Sequence, residues 1–165
     1  MAEKRPKLKI EWEPIDWLIE SLSLLFVLFL LIYPAYYYES IPGEIPTHYN
    51  MDGQADAFGN KTELWLLPII GLLMYVGLFL LNRIPHQFNY PGTITEENAY
   101  TQYQNASRLM RAFNLTFTGA FAYIIYIMVQ SALGQVDGLG RFFTPLLLTA
   151  TIGISIYFLY QATKK

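Results

Sequence analysis

His48, Asn50, Asp52, Asp56 and Lys61 fall close together in the stretch IPGEIPTHYNMDGQADAFGNK, Ile41–Lys61, and they are the most chemically distinctive side chains of the 165-residue chain. A histidine can titrate, ligate a metal or donate a hydrogen bond. With Asp52 and Asp56 four and eight residues on, the stretch offers one imidazole and two carboxylates, a set that suits a divalent ion without identifying one. Asn50 to Asp56 has a faint likeness to a calcium loop, but the glycine comes too early, and Lys61 stands where the closing glutamate would be. No nucleophile elbow, paired-histidine zinc motif or phosphate-binding glycine loop occurs anywhere in the chain. The expectation is therefore a protein with no catalytic residues, no metal and no cofactor. The same residues can also be read as structure. Pro42 and Pro46 restrict the backbone, Gly43, Gly53 and Gly59 admit positive φ, and His48 and Asp56 can fix the loop by hydrogen-bonding backbone groups. Either way the loop is expected to be ordered, and ordered surface loops often bind.

What positions this loop is apolar. Hydrophobic residues make up 53% of the chain and charged residues only 15%, with the former gathered into four runs, about 17–37, 64–81, 113–133 and 142–160. Crossing roughly 30 Å of hydrocarbon takes about 20 helical residues, and backbone groups in lipid must be satisfied within the segment, so the runs are expected to be helices. The fold class is thus all-α, a single four-span membrane domain over residues 1–165. None of the runs contains Lys or Arg, and their one acidic residue is Glu20. An intramembrane carboxylate is a functional candidate by default, yet one turn from the end of its span Glu20 can reach water or Ser23. The first run is too long for a signal-peptide core and lacks a small-residue cleavage site, so it reads as an uncleaved span.

Positive charge is lopsided. Lys4, Arg5, Lys7, Lys9, Arg83, Arg108, Arg111, Lys164 and Lys165 lie on one side of the spans, and only Lys61 and Arg141 on the other, nine against two. The positive-inside rule then places both termini and His86 in the cytoplasm and the Ile41–Lys61 loop outside. Glu39, Glu44, Asp52, Asp56 and Glu63 make that outer loop acidic. No basic surface argues for nucleic acid, and with no cysteine the chain has neither disulfides nor thiolate metal ligands. Aromatic residues at the span ends fit an interfacial belt.

The cytoplasmic loop reads as a turn at Asn89–Gly92, a capping box from Thr93 to Glu96, and then an amphipathic helix with Ala99, Tyr103, Ala106, Met110 and Phe113 on one face. That helix runs into the third span, with Arg108 and Arg111 against the anionic inner leaflet. Asn114, Thr116, Thr118 and Gln130 are expected to face the bundle. In the fourth span, Thr149 with Gly153 and Thr151 with Ser155 permit close helix approach.

Ile45-Pro46-Thr47-His48-Tyr49-Asn50, followed by Gly53, Asp56, Gly59 and Lys61, resembles the signature of a bacterial membrane family known as DUF1648, a domain of unknown function. In that family a similar loop joins a first span to a second one rich in Leu, Pro and Gly. The resemblance singles out Pro46, His48, Asn50, Gly53, Asp56, Gly59 and Lys61 as signature and ligand-binding residues. The same domain occurs in the immunity protein that protects cells from the sporulation-delaying peptide toxin. The resemblance thus implies a non-enzymatic protein of a bacterial cytoplasmic membrane, of immunity or sensory type. Its partners would be the lipid bilayer and a peptide toxin or another membrane protein. The alternative is a small transporter or membrane enzyme using His48 and Asp56 in proton or metal chemistry.

Overall fold

A computed structural model describes residues 5–163. Lys4, Lys164 and Lys165, which count in the charge asymmetry, lie outside the described residues. Among these residues, four helical segments are long and apolar enough to cross a membrane, Pro14–Ser40, Lys61–Leu81, Ala99–Ala132 and Phe143–Thr163; they hold the helices α1 (Pro14–Tyr37), α2 (Leu66–Leu81), α3 (Ala99–Ala132) and α4 (Phe143–Thr163). Between α1 and α2 stand two strands, β1 (Glu44–Tyr49) and β2 (Ala55–Asn60), paired antiparallel. The all-α expectation is corrected by this hairpin. Pro42 and Pro46 favour extended backbone, Gly53 takes φ +77° at the tip, and aromatic residues on both strands suit a half-buried sheet. Short 3₁₀ turns, Tyr38–Ser40 and Lys61–Trp65, join the hairpin to α1 and α2.

α1 begins where Pro14 presets helical φ and the Asp16 carboxylate accepts from the Glu13 amide at 2.9 Å. The start of α3 is set by Thr95 and Asn98, not by the Thr93–Glu96 box. The Thr95 amide donates to Asn98 Oδ1 at 2.9 Å and the Asn98 amide donates back to Thr95 Oγ1. An asparagine here caps as a glutamate would, with a shorter reach. From Ala99 the helix continues unbroken to Ala132, so the segment expected as a separate surface helix is the first part of α3, with Gln102, Tyr103, Ser107 and Arg111 buried.

α3 is the central element, with α1, α2 and α4 packed around it. The main core joins Leu30 of α1 and Ala122, Ile125, Met128 and Val129 of α3 to Ile41, Ile45 and Leu64 from the hairpin segment. The hairpin is therefore part of the core and not an appendage on it. Gly71 lets α2 approach α1 so closely that a Cβ there would meet Leu30 Cδ1 at 2.8 Å. A second, small cluster of Ile94, Ala99 and Tyr103 closes the other end. α4 has no buried residue: Thr149 and Gly153 face outward, while Thr151 and Ser155 lie half-buried with hydroxyls bonded to carbonyls of their own helix. Leucines and isoleucines exposed along α1, α2 and α4, with tyrosines in their place on α3, fit contact with lipid.

Candidate functional site

The hairpin gathers all seven signature residues, but it gives them different tasks. Asn50 turns the tip. Its side-chain oxygen accepts from the Asp52 and Gln54 amides, both at 3.0 Å, and its backbone amide donates to the Gln54 carbonyl at 2.9 Å. An Asx turn of this kind needs a short side chain with an acceptor. Gly53 lets the tip dock on the α3–α4 connection: the Leu139 amide donates to the Gly53 carbonyl at 2.8 Å, and Gln54 bridges Gly138. A Cβ on Gly53 would lie 2.6 Å from the Gly140 carbonyl oxygen, and φ +77° already excludes most side chains.

Gly59 leaves room for Glu63, whose carboxylate accepts from the Asn60 amide at 3.0 Å while Asn60 Oδ1 accepts from Thr62. This reciprocal cap starts the turn into α2. Lys61 folds back on the turn that follows α1, with its ammonium 3.4 Å from the Tyr38 carbonyl and 4.7 Å from the centre of the Tyr38 ring. Pro46 is buried beside the fully buried Ile45. Five of the seven residues, Pro46, Asn50, Gly53, Gly59 and Lys61, thus shape and anchor the hairpin.

His48 and Asp56 differ. Their side chains, 68% and 43% exposed, meet across the strands with Nδ1 and Oδ1 2.5 Å apart. The register shifts on both sides of His48, which stands opposite Ala57, and the second shift leaves Asp56 unpaired beside it. Phe58 shares a strand face with Asp56 by alternation, and it is exposed, as are Met51 and Asp52 at the tip. The hairpin therefore holds out a hydrogen-bonded His–Asp pair with an exposed aromatic residue two positions along β2. Two donors are gathered there, with no group of three His, Cys, Asp or Glu suited to a metal among the described residues. Just behind the pair, burial pushes the Tyr49 phenol up to about 12, with the Ser131 hydroxyl beside it pulling the other way.

A second polar group escaped the sequence reading. Arg111 is buried, not spread on a leaflet surface, and it faces Asp16 and Glu20 of α1. Glu20 does not use Ser23, whose hydroxyl donates to the Ile19 carbonyl. The available signal was the spacing: Asp16 and Glu20 four apart on one helix, Arg108 and Arg111 three apart on another. Asn114, Thr118 and Gln130 do face the bundle as expected, Gln130 donating to the Tyr33 hydroxyl at 2.7 Å. Thr116 bonds only to its own helix, at the Ala112 carbonyl.

Comparison with known proteins bears on the hairpin directly. Residues 25–72 match the family model described as Domain of unknown function (DUF1648). That segment holds the later part of α1, the whole hairpin and the start of α2. The chain is also similar to an uncharacterized protein of Archaeoglobus fulgidus, 27% identical over 154 residues that cover 84% of this chain and 83% of the relative. No solved structure matches.

Proposed function

Since the chain carries a DUF1648 domain, we propose that it is a non-enzymatic, multi-pass membrane protein whose hairpin recognises a cationic peptide or envelope component, in an immunity or sensory role. The observation that carries this reading is the division of labour within the signature: anchoring residues turn inward, and His48, Asp56 and Phe58 stand out on a rigid support. A preorganised surface loses little entropy on binding. Glu39, Glu44, Asp52 and Asp56 are exposed around it and would draw a positively charged ligand. In this proposal the hairpin lies on the outer face of a cytoplasmic membrane, with both termini inside. The transporter or membrane-enzyme alternative has only the His48–Asp56 pair to work with at this site.

Binding of a fluorescent cationic amphipathic peptide to the full chain in nanodiscs tests the proposal. Binding above that of empty nanodiscs is expected, weakening with added salt and lost in Asp56→Asn and Phe58→Ser variants of unchanged thermal stability. Equal binding by those variants overturns the reading. Orientation is tested separately in the cysteine-free background. Cysteines at Gln54 and Gln135, both exposed, should react with an impermeant thiol reagent on intact cells, and one at the exposed Glu97 should not.

A further inference from the structure

At the end of the helices away from the hairpin, Glu13 at the N-cap of α1 is followed on the helix by Asp16 and Glu20, three and four residues apart. Arg108 and Arg111 of α3 meet them. The arginines are unevenly shared. Asp16 takes Arg108 through two contacts, 3.1 and 3.3 Å, and Arg111 through a third at 3.3 Å. Glu13, half exposed, takes Arg108 at 2.7 Å. Glu20, the farthest along α1 of the three, has Arg111 as its cation, with Nε at 3.7 Å, an ion pair too long for a hydrogen bond. Three carboxylates thus face two guanidiniums, and the one left short of positive charge is nine-tenths buried, about 9 Å along α1 from Pro14 at 1.5 Å per residue.

Polar atoms without partners collect at this point. Glu20 Oε1 and Arg111 Nε accept or donate no hydrogen bond, and neither do Ser107 Oγ and Asn114 Oδ1, which lie one turn either side of Arg111 on the same buried face of α3. Tyr75 of α2 brings its hydroxyl against the Glu20 carboxylate. Trp12 covers Arg111, its ring centre 4.5 Å from the guanidinium carbon. Buried polar groups left open in such numbers mark a place where water or a ligand enters.

We propose that Glu20 is a proton-binding site within the membrane, reached from the N-terminal end along the carboxylate face of α1 and held between Arg111 and Tyr75. A metal cation is the poorer fit, because Arg111 already occupies the cation's position beside the carboxylate. A proton taken from water forms one O–H bond on Glu20, cancels its charge, and leaves Arg111 to Asp16 alone. In low dielectric that change alters the attraction between α1 and α3 far more than it would in water. Among the described residues, the titratable or charged groups around Glu20 are Asp16 on its own helix, Arg108 and Arg111 on α3, and Tyr75 on α2.

Infrared titration of the full chain in lipid vesicles tests this. A protonated-carboxyl carbonyl band should grow as pH falls, decreasing about tenfold for each pH unit on the alkaline side of its midpoint. Glu20→Gln should remove that band while leaving the helical amide signal intact. Should Glu20→Gln fail to fold, Tyr75→Phe is the second arm, and it should shift the band because the phenol touches the carboxyl. Identical titration in the parent and in Glu20→Gln, or in the parent and in Tyr75→Phe where that arm is needed, overturns the proposal.

Discussion

The two ends of the helix bundle handle polar residues in opposite ways. At the hairpin end, His48 and Asp56 stand exposed, and their neighbours Asn50, Asn60 and Glu63 hydrogen-bond within a few positions along the chain. At the other end, Asp16 and Arg111 are almost wholly buried, and the contact between them joins positions 95 apart in sequence. An exposed pair in water contributes at most about 1 kcal/mol, so the hairpin's shape has to come from turn chemistry and from Ile45 and Leu64 in the core. A buried pair is different. Its assembly costs desolvation, but removing one partner strands the other in a medium that solvates it poorly. One end can therefore vary its charges with little effect on folding, and the other cannot.

The largest expected effect tests that contrast. Asp16→Ala leaves both arginines without their shared partner and should destabilise the protein by about 3–5 kcal/mol, the range for breaking a buried ion pair. Thermal unfolding in detergent measures it. A loss below about 1 kcal/mol would mean that water reaches the cluster freely and that the two ends do not differ. Next comes Gly53→Ala. It forces a side chain into a positive-φ position and against the Gly140 backbone, with an expected cost of about 1–3 kcal/mol. Proteolysis of the hairpin should accelerate alongside.

The same contrast explains which features were legible in the sequence. The four spans were, because hydrocarbon demands long unbroken apolar runs. An ordered loop was too, since prolines and glycines restrict a backbone wherever they occur. The hairpin itself was not: Thr47, Ala55 and Ala57 break the alternation that announces strands, and the register shift near Thr47 disguises the pairing further. Asn50 and Lys61 looked like ligand contacts because polar types alone do not reveal whether a side chain points at its own backbone. The Asp16–Arg111 contact was hidden for another reason. Arg108 and Arg111 sit at the polar start of a helix that is apolar only later, so their burial follows from the way α1 and α3 cross, which no local pattern records.

A smaller effect is expected for His48→Ala and Asp56→Ala. Each should change unfolding stability by within about 0.5 kcal/mol, as for surface positions away from structural features. Each should nonetheless abolish the peptide binding proposed for the hairpin. A collapse in either variant would show that the pair staples the strands, and would move His48 and Asp56 into the class of Asn50 and Gly53.

The smallest effect concerns Tyr49, the one hairpin tyrosine turned toward α3. Burial raises its phenol from 10.0 to about 12, so the folded state holds this proton more tightly than the unfolded chain does. Its contribution to stability is then complete below about pH 10, where both states are protonated, and it fades as pH rises from there towards 12. Stability should fall across that alkaline window, and Tyr49→Phe, which keeps the ring and removes the proton, should flatten part of the decline. The slope of unfolding midpoint against pH for the two proteins checks it. Parallel slopes would place the Tyr49 hydroxyl in contact with water, and the hairpin would then rest on α3 less tightly than Ile45 and Leu64 imply.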